Sequence, residues 1–290
     1  MSENSNLDDL IDKPSREIIS KTFEAMSYKK YDNDYIVQLG RSKKGAAVNS
    51  CTFRSTIFIN CYFNGVVFTN CDFTSAKFID CNLKDAKFVH CKFDYSYFRR
   101  SVVESAEILA NLPREPNLCR DLLRVLRVDA RELGNVEDES IYVRKEIEAS
   151  NLFYLSAFNG RNKWYREKYG SVDRVIFLFK WGQSKLSGFI WGNGEKPIRV
   201  LYSCVLTILI IALLLAFYGY GENQFEDFSG FSSNFVVSLR LSVSEFLAIP
   251  YNAESFSLKV PFLISVFASL ARYIFIGLLV SVMFRSFSRR

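Results

Sequence analysis

The chain has 290 residues, 49% of them hydrophobic and 23% charged, which excludes both an intrinsically disordered chain and a carrier that is apolar throughout. Its net charge of +6 does not by itself mark a nucleic-acid binder, and the single histidine, His90, excludes His-rich metal clusters and His-based catalytic triads. The unusual number is 27 phenylalanines.

In chain order, Met1–Leu10 is polar and acidic, without the basic and apolar blocks of a cleavable signal peptide. Asp12-Lys13-Pro14 predicts a short helix capped by Asp12, and residues 1–45 are expected to form a helical N-terminal cap. From about Ala46 to Ala110 a five-residue period follows. It places Phe53, Phe58, Phe63, Phe68, Phe73, Phe78, Leu83, Phe88, Phe93, Phe98 and Val103 in register. Two residues before each sits a smaller one: Cys51, Thr56, Cys61, Val66, Cys71, Ala76, Cys81, Ala86, Cys91, Ser96 and Ser101. Residues two apart on an extended segment face the same side, so each pair points inward and the chain must turn before the next. Four such turns close a square coil, and stacked coils lie about 4.8 Å apart, the distance between neighbouring strands.

This pattern resembles the pentapeptide-repeat family, whose units form a right-handed quadrilateral β-helix. The resemblance covers residues 46–110, roughly three coils, with the phenylalanines and Leu83 as the core. Five of the seven cysteines share the register at ten-residue spacing, and the simplest role for them is that of small buried side chains. Some members of the family mimic DNA with an acidic column. Here residues 46–110 hold seven Lys or Arg against six Asp or Glu, so neither mimicry nor nucleic-acid binding is expected. The repeat carries no catalytic constellation. It is expected to be a scaffold or a docking surface for a cytoplasmic protein partner, with no enzyme activity, metal or cofactor.

Pro113 and Pro116 end the repeat, and residues 111–199 are expected to form a cytoplasmic helical linker. Leu118, Leu122, Leu123, Leu126, Val128 and Leu133 recur at helical spacing up to Gly134-Asn135, and a second helix spans Glu137–Ala157. Val172, Val175, Ile176, Phe179, Trp181 and Trp191, with Lys180 and Lys185, predict an interfacial helix beside a membrane. Val200–Tyr218 is charge-free and apolar, long enough to span a bilayer, and Val260–Phe284 is a second span that contains Arg272. Lys180, Lys185, Lys196 and Arg199 precede the first span, and Arg285, Arg289 and Arg290 follow the second. This bias predicts two crossings with both termini cytoplasmic.

The run from Asp121 to Val200, with "RELGN" and "KWGQSKLSGFIWGNGEKPIRV", resembles the linker of bacterial membrane proteins that join pentapeptide repeats to a two-helix, potassium-channel-type domain. The resemblance implies an inner-membrane location, a homotetramer and a re-entrant pore loop, here residues 231–250. Phe231–Leu241 is the expected pore helix. The filter of such channels is a ring of backbone carbonyls that needs glycine. This chain instead reads Ser242, Val243, Ser244, Glu245, Phe246, Leu247, Ala248, with Phe246 and Ala248 where the glycines would stand. Gly219-Tyr220-Gly221 lies before the pore helix and reads as a helix-ending turn. Ser242, Ser244, Glu245, Phe246 and Arg272 are the expected pore residues. Glu245 would form a carboxylate ring favouring cations, and Arg272 would face a pore, a neighbouring helix or the outer interface, or approach Glu245 in an oligomer. The expected architecture is thus a multi-domain membrane protein: a β-helix, an α-helical linker and two transmembrane helices around a pore loop. The expected function is an oligomeric pore without potassium selectivity, docked or gated through the repeat. The alternatives are a non-conducting membrane-anchored adaptor and a triggered membrane-disrupting effector in stress or phage defence.

Overall fold

The computed structural model of the chain describes residues 16–290 apart from 21, 32–34, 39, 44, 193–196, 222–227, 252–259, 289 and 290. It divides into two units, Met1–Trp181 and Gly182–Arg290.

The first unit opens with short parallel strands: β1 (Arg16–Ile19), β2 (Thr22–Phe23), β3 (Met26–Ser27), β4 (Tyr35–Gln38), β5 (Arg41–Ser42), β6 (Ala47–Asn49), β7 (Ile57–Ile59), β8 (Val67–Thr69), β9 (Lys77–Ile79), β10 (Asn82–Leu83), β11 (Lys87–Val89), β12 (Tyr97–Arg99) and β13 (Val102–Val103). They wind into a β-solenoid. One face stacks β1-β4-β7-β9-β12, so four full turns separate its first and last strands. A second face stacks β3-β6-β8-β11. Between them lie shorter pairings, including the bridges Thr52↔Asp72 and Asp72↔Lys92. Within the stretch expected as a helical cap, β1 to β5 are instead strands of this solenoid; Asp12-Lys13-Pro14 lies outside the described residues.

The corners explain the five-residue period. Ser50, Ser55, Asn60, Asn70, Ser75, Asp80, Asp85, His90, Tyr95 and Arg100 all have positive φ, and Gly65 occupies the same conformation. A single left-handed residue turns the chain between neighbouring faces, which is why Asn, Asp, Ser and Gly dominate these positions. Alternate corners differ. At 53–56, 63–66, 73–76, 83–86 and 93–96 the fourth residue's N–H donates to the first residue's carbonyl, closing a β-turn.

Inside, the side chains at 53, 58, 63, 68, 73, 78, 83, 88, 93 and 98 are all buried. Rings one coil apart lie face to face. Tyr31, Phe53, Phe73 and Phe93 form one ladder with centroids 5.4, 5.1 and 5.3 Å apart, and Phe58, Phe78 and Phe98 another at 4.9 Å per step. The coil repeat sets this spacing, and neighbouring ladders meet edge to face, as for Phe53 and Phe58.

The cysteines do more than fill space. The Cys71 thiol donates to the Val48 carbonyl, Cys81 to Phe58 and Cys91 to Phe68, each at 3.4 Å. Ser101 continues the column through its hydroxyl, 3.1 Å from the Phe78 carbonyl, and Asn111 through its amide, 2.7 Å from the Phe88 carbonyl. Cys71, Cys81, Cys91 and Ser101 follow the corners that lack the β-turn bond, Asn111 follows the end of the short helix after the solenoid, and all five tie one coil to the coil below. Burial pushes the Cys51 and Cys81 thiols up, which keeps them protonated. All seven cysteines are free.

Helices α1 (Ser105–Leu109) and α2 (Pro116–Glu132) follow the solenoid. Its last coil leaves N–H groups facing outward, and side chains take the place of a further coil. The Phe88 N–H donates to Glu107 at 3.0 Å, the Cys91 N–H to Asn111 at 2.9 Å, and the Ser101 N–H to both oxygens of Asp129 at 3.4 Å. The solenoid end is thereby protected from edge-to-edge pairing. Pro116 starts α2, where its missing N–H costs nothing, and Leu122, Leu123, Leu126 and Ala130 are buried. Gly134 turns the chain with φ 71°. Asn135 then caps α3 (Val136–Asn159), accepting from the Asp138 N–H at 3.1 Å. Beyond α3 come α4 (Lys163–Lys168) and α5 (Ser171–Trp191). Phe153, Tyr165, Tyr169 and Phe177 of this region form an aromatic cluster.

In the second unit, α6 (Pro197–Gly221), α7 (Phe228–Leu247) and α8 (Phe262–Ser288) share one apolar cluster. Ile211 and Leu215 of α6, Leu241 and Phe246 of α7, and Ala268 and Ala271 of α8 are its buried members. Two helices, Ile198–Tyr218 and Phe262–Phe284, are long and apolar enough to cross a membrane.

Candidate functional site

The expected pore segment has a different backbone from the one a filter requires. Helix α7 runs unbroken for 20 residues, so Ser242, Ser244, Glu245 and Phe246 lie in its last two turns rather than in an extended strand after it. The helix ends in paired bonds: the Ile249 N–H donates to the Ser244 carbonyl at 2.9 Å, and the Ala248 N–H to that of Glu245 at 3.3 Å. Ala248 supplies the left-handed residue of this end, with φ 54°, where glycine is the common choice. The Ser244 and Glu245 carbonyls, which a filter would have to turn inward, are consumed locally. The pore helix expected at Phe231–Leu241 is thus only part of α7, and the re-entrant loop 231–250 is mostly helix.

The side chains form a polar stripe instead. Ser238, Ser242 and Glu245 fall three and four residues apart, on one side of α7. Ser238 and Ser242 are fully buried. The Ser242 hydroxyl donates to the Leu239 carbonyl at 2.8 Å, whereas the buried Ser238 hydroxyl has no hydrogen-bond partner among the described residues. Glu245 accepts from the Tyr251 hydroxyl at 2.5 Å and from the Ser265 hydroxyl at 3.0 Å. Burial, reinforced by Glu245, pushes the Tyr251 phenol up to about 12, so it donates as a neutral phenol. One carboxylate thus fastens the end of α7 to the following loop and to the first turn of α8. Ser244 and Phe246 are also buried, Phe246 beside Phe275 of α8 with ring centroids 6.1 Å apart.

Arg272 does not meet Glu245 within the chain. Its guanidinium lies 5.0 Å from the Tyr273 ring centroid, and it forms no ion pair among the described residues. The sequence singles out both charges of this unit but not the hydroxyls that hold Glu245. Tyr251 and Ser265 lie six and twenty residues beyond Glu245, with no spacing signal to connect them.

The solenoid unit offers a hollow of about 470 Å³ where its last coil meets the segment before α2. His90, Lys92, Asp94, Arg114 and Glu115 line it, so its charges are mixed. Among the described residues no group of three or more His, Cys, Asp or Glu side chains is placed to hold a metal. Outside, cross-coil ion pairs join Arg54 to Asp72 at 2.7 Å and Arg100 to Asp80 at 2.6 Å.

A ladder of inward phenylalanines, a left-handed corner every fifth residue and parallel strands in register define a β-solenoid of the pentapeptide type. Residues 44–112 match the family model of the pentapeptide repeat region. No curated protein matches the chain.

Proposed function

We propose that the protein is a homo-oligomeric membrane pore without potassium selectivity, with the pentapeptide solenoid as the docking element for a cytoplasmic protein that biases its opening. The observation that carries this reading is Glu245, a carboxylate on the same side of α7 as the buried Ser238 and Ser242, fastened to Tyr251 beyond α7 and to Ser265 in the first turn of the second apolar helix. Ionisable groups among membrane helices are costly, and they mark ion or proton pathways far more often than structural positions. Arg272 adds to it, since a guanidinium on a spanning helix needs a second copy, a pore or the headgroups to solvate it. Two spans cannot enclose a pore, so conduction requires several copies.

A non-conducting membrane-anchored adaptor is the second reading. The continuity of α7 through residue 247 favours it, because no extended backbone remains to line a narrow filter. Purified full-length protein in planar bilayers under a potassium/sodium gradient separates the two. The pore reading expects currents that reverse near zero for that ion pair and that shrink with Glu245→Gln. Silent bilayers containing inserted protein support the adaptor, and strong potassium selectivity contradicts both.

A further inference from the structure

Helix α5 presents two apolar stripes. Phe177 turns inward, its ring 5.5 Å from Phe153 and 4.9 Å from Tyr169. On the other side Val172, Val175, Ile176, Phe179, Leu186 and Phe189 follow helical spacing and are exposed, Val172 and Phe179 each to 74%. No residue of α5 is buried. Its C-terminal end is fixed to the start of the first span: the Arg199 guanidinium donates to the Gly188 carbonyl at 2.6 Å, and the Ser203 hydroxyl to that of Ile190 at 2.9 Å. The exposed stripe therefore continues along one helix to the residues that hold the start of α6.

Charge follows the same helix. Residues 161–199 hold nine Lys or Arg against three Asp or Glu, a net +6, which equals the net charge of the whole chain; the other residues are neutral in sum. A soluble helix would scatter its charge and cover its phenylalanines. An exposed apolar stripe flanked by lysines, beside a spanning helix, suits the boundary between headgroups and acyl chains, and clustered cations add attraction to anionic lipid.

We propose that α5 lies in the membrane surface with Val172, Val175, Ile176, Phe179, Leu186 and Phe189 seated among the acyl chains, and that residues 161–199 select anionic lipid. The inference rests on the reading of α6 and α8 as membrane spans.

The test uses full-length protein reconstituted in phosphatidylcholine vesicles with or without phosphatidylglycerol. In a background with Trp164, Trp181 and Trp191 replaced by Phe, a single tryptophan is placed by Phe179→Trp on the outer stripe, by Phe177→Trp on the covered stripe or by Leu209→Trp on the lipid-exposed side of α6. Brominated acyl chains should quench the Phe179→Trp protein about twofold in anionic vesicles, and clearly less in phosphatidylcholine alone or at high salt. The Leu209→Trp protein should be quenched equally in both lipids, and the Phe177→Trp protein little in either. Quenching of Phe179→Trp by aqueous iodide rather than by bromolipid overturns the proposal, as does protection from both, which would mean that protein covers the stripe. Failure of bromolipid to quench Leu209→Trp would instead remove the membrane reading on which the proposal rests.

Discussion

Phe73 shows how much the repeat concentrates in single side chains. It is 1% exposed, stacks on Phe53 and Phe93, and meets Phe68 and Phe88 edge-on. Phe73→Ala should cost about 3–5 kcal/mol, the range for a buried ring replaced by a cavity, and Phe73→Asp should abolish the solenoid because the buried carboxylate has no partner. Protease resistance of the full chain in denaturant reads both; an intact solenoid with Asp at position 73 would refute the register. The thiol column makes a finer prediction. Cys81→Ala should destabilise by about 1–2 kcal/mol, through a small cavity and the lost bond to the Phe58 carbonyl, while Cys81→Ser should recover part of that loss. If Ser is no better than Ala, the thiol is only a spacer. The ten-residue recurrence of cysteine was visible in the sequence, but its meaning was not. A five-letter period cannot show which inward small residues donate to the coil below: Cys71, Cys81, Cys91 and Ser101 do so after one kind of corner, and Ser96 does so, to the Phe73 carbonyl at 2.8 Å, at the other.

At the level of elements, regularity decided what could be read. From residue 46 the coils step by 20 residues, as in Ala47↔Val67 and Phe68↔Phe88. Before it they step by 19 in Arg16↔Tyr35, 22 in Met26↔Val48 and 21 in Ile36↔Ile57. A strict five-residue template fails on such coils although the strands pair equally well, so the repeat is legible only from about residue 46. The full length of α7 is hidden for another reason: its serines, Arg240 and Glu245 break the apolar run, and its end lacks the usual glycine. The solenoid end holds Asp129, 4% exposed, whose carboxyl burial pushes up to about 6 from 3.8 despite the bonds from the Ser101 and Arg100 N–H groups. The folded chain then keeps a proton that the unfolded chain releases between about pH 4 and pH 6. Asp129 is accordingly most favourable to the fold below pH 4, and its contribution falls as pH rises through 6, by up to about 3 kcal/mol. Asp129→Asn should flatten this decline, which a comparison of denaturant-dependent proteolysis at pH 4.5 and 6.5 measures. A variant that keeps the full slope would place the titration elsewhere.

For the molecule as a whole, the succession of a solenoid, helices and two long apolar helices is legible because each rests on composition over many residues, whereas the topology proposed for the two apolar helices in a bilayer depends on α7. Two inputs bear on that path. The basic residues before α6 and after α8 favour both termini on the cytoplasmic side, with the acidic stretch Glu222, Glu226, Asp227 outside. Helix α7, in contrast, is 20 residues long, about 30 Å at 1.5 Å per residue, which matches the hydrocarbon core. Length alone would let it cross. Its serines, Arg240 and Glu245 make that crossing costly unless they stay covered, and α7 is not among the helices apolar enough to span. The expected outcome is therefore two crossings, with α7 packed against α6 and α8 without traversing the bilayer. Reporters inserted near Asp227 and fused after Arg290 should lie on opposite sides of the membrane. If both report the outer side, α7 is a third span, Glu245 moves toward the cytoplasmic end of the bundle, and the three arginines at the C-terminus stand outside against the usual bias. A pore built on that topology would be lined by the Ser238–Ser242–Glu245 stripe along its length, and its ion dependence would then follow the hydroxyl and carboxylate groups of α7 rather than the entrance of α8.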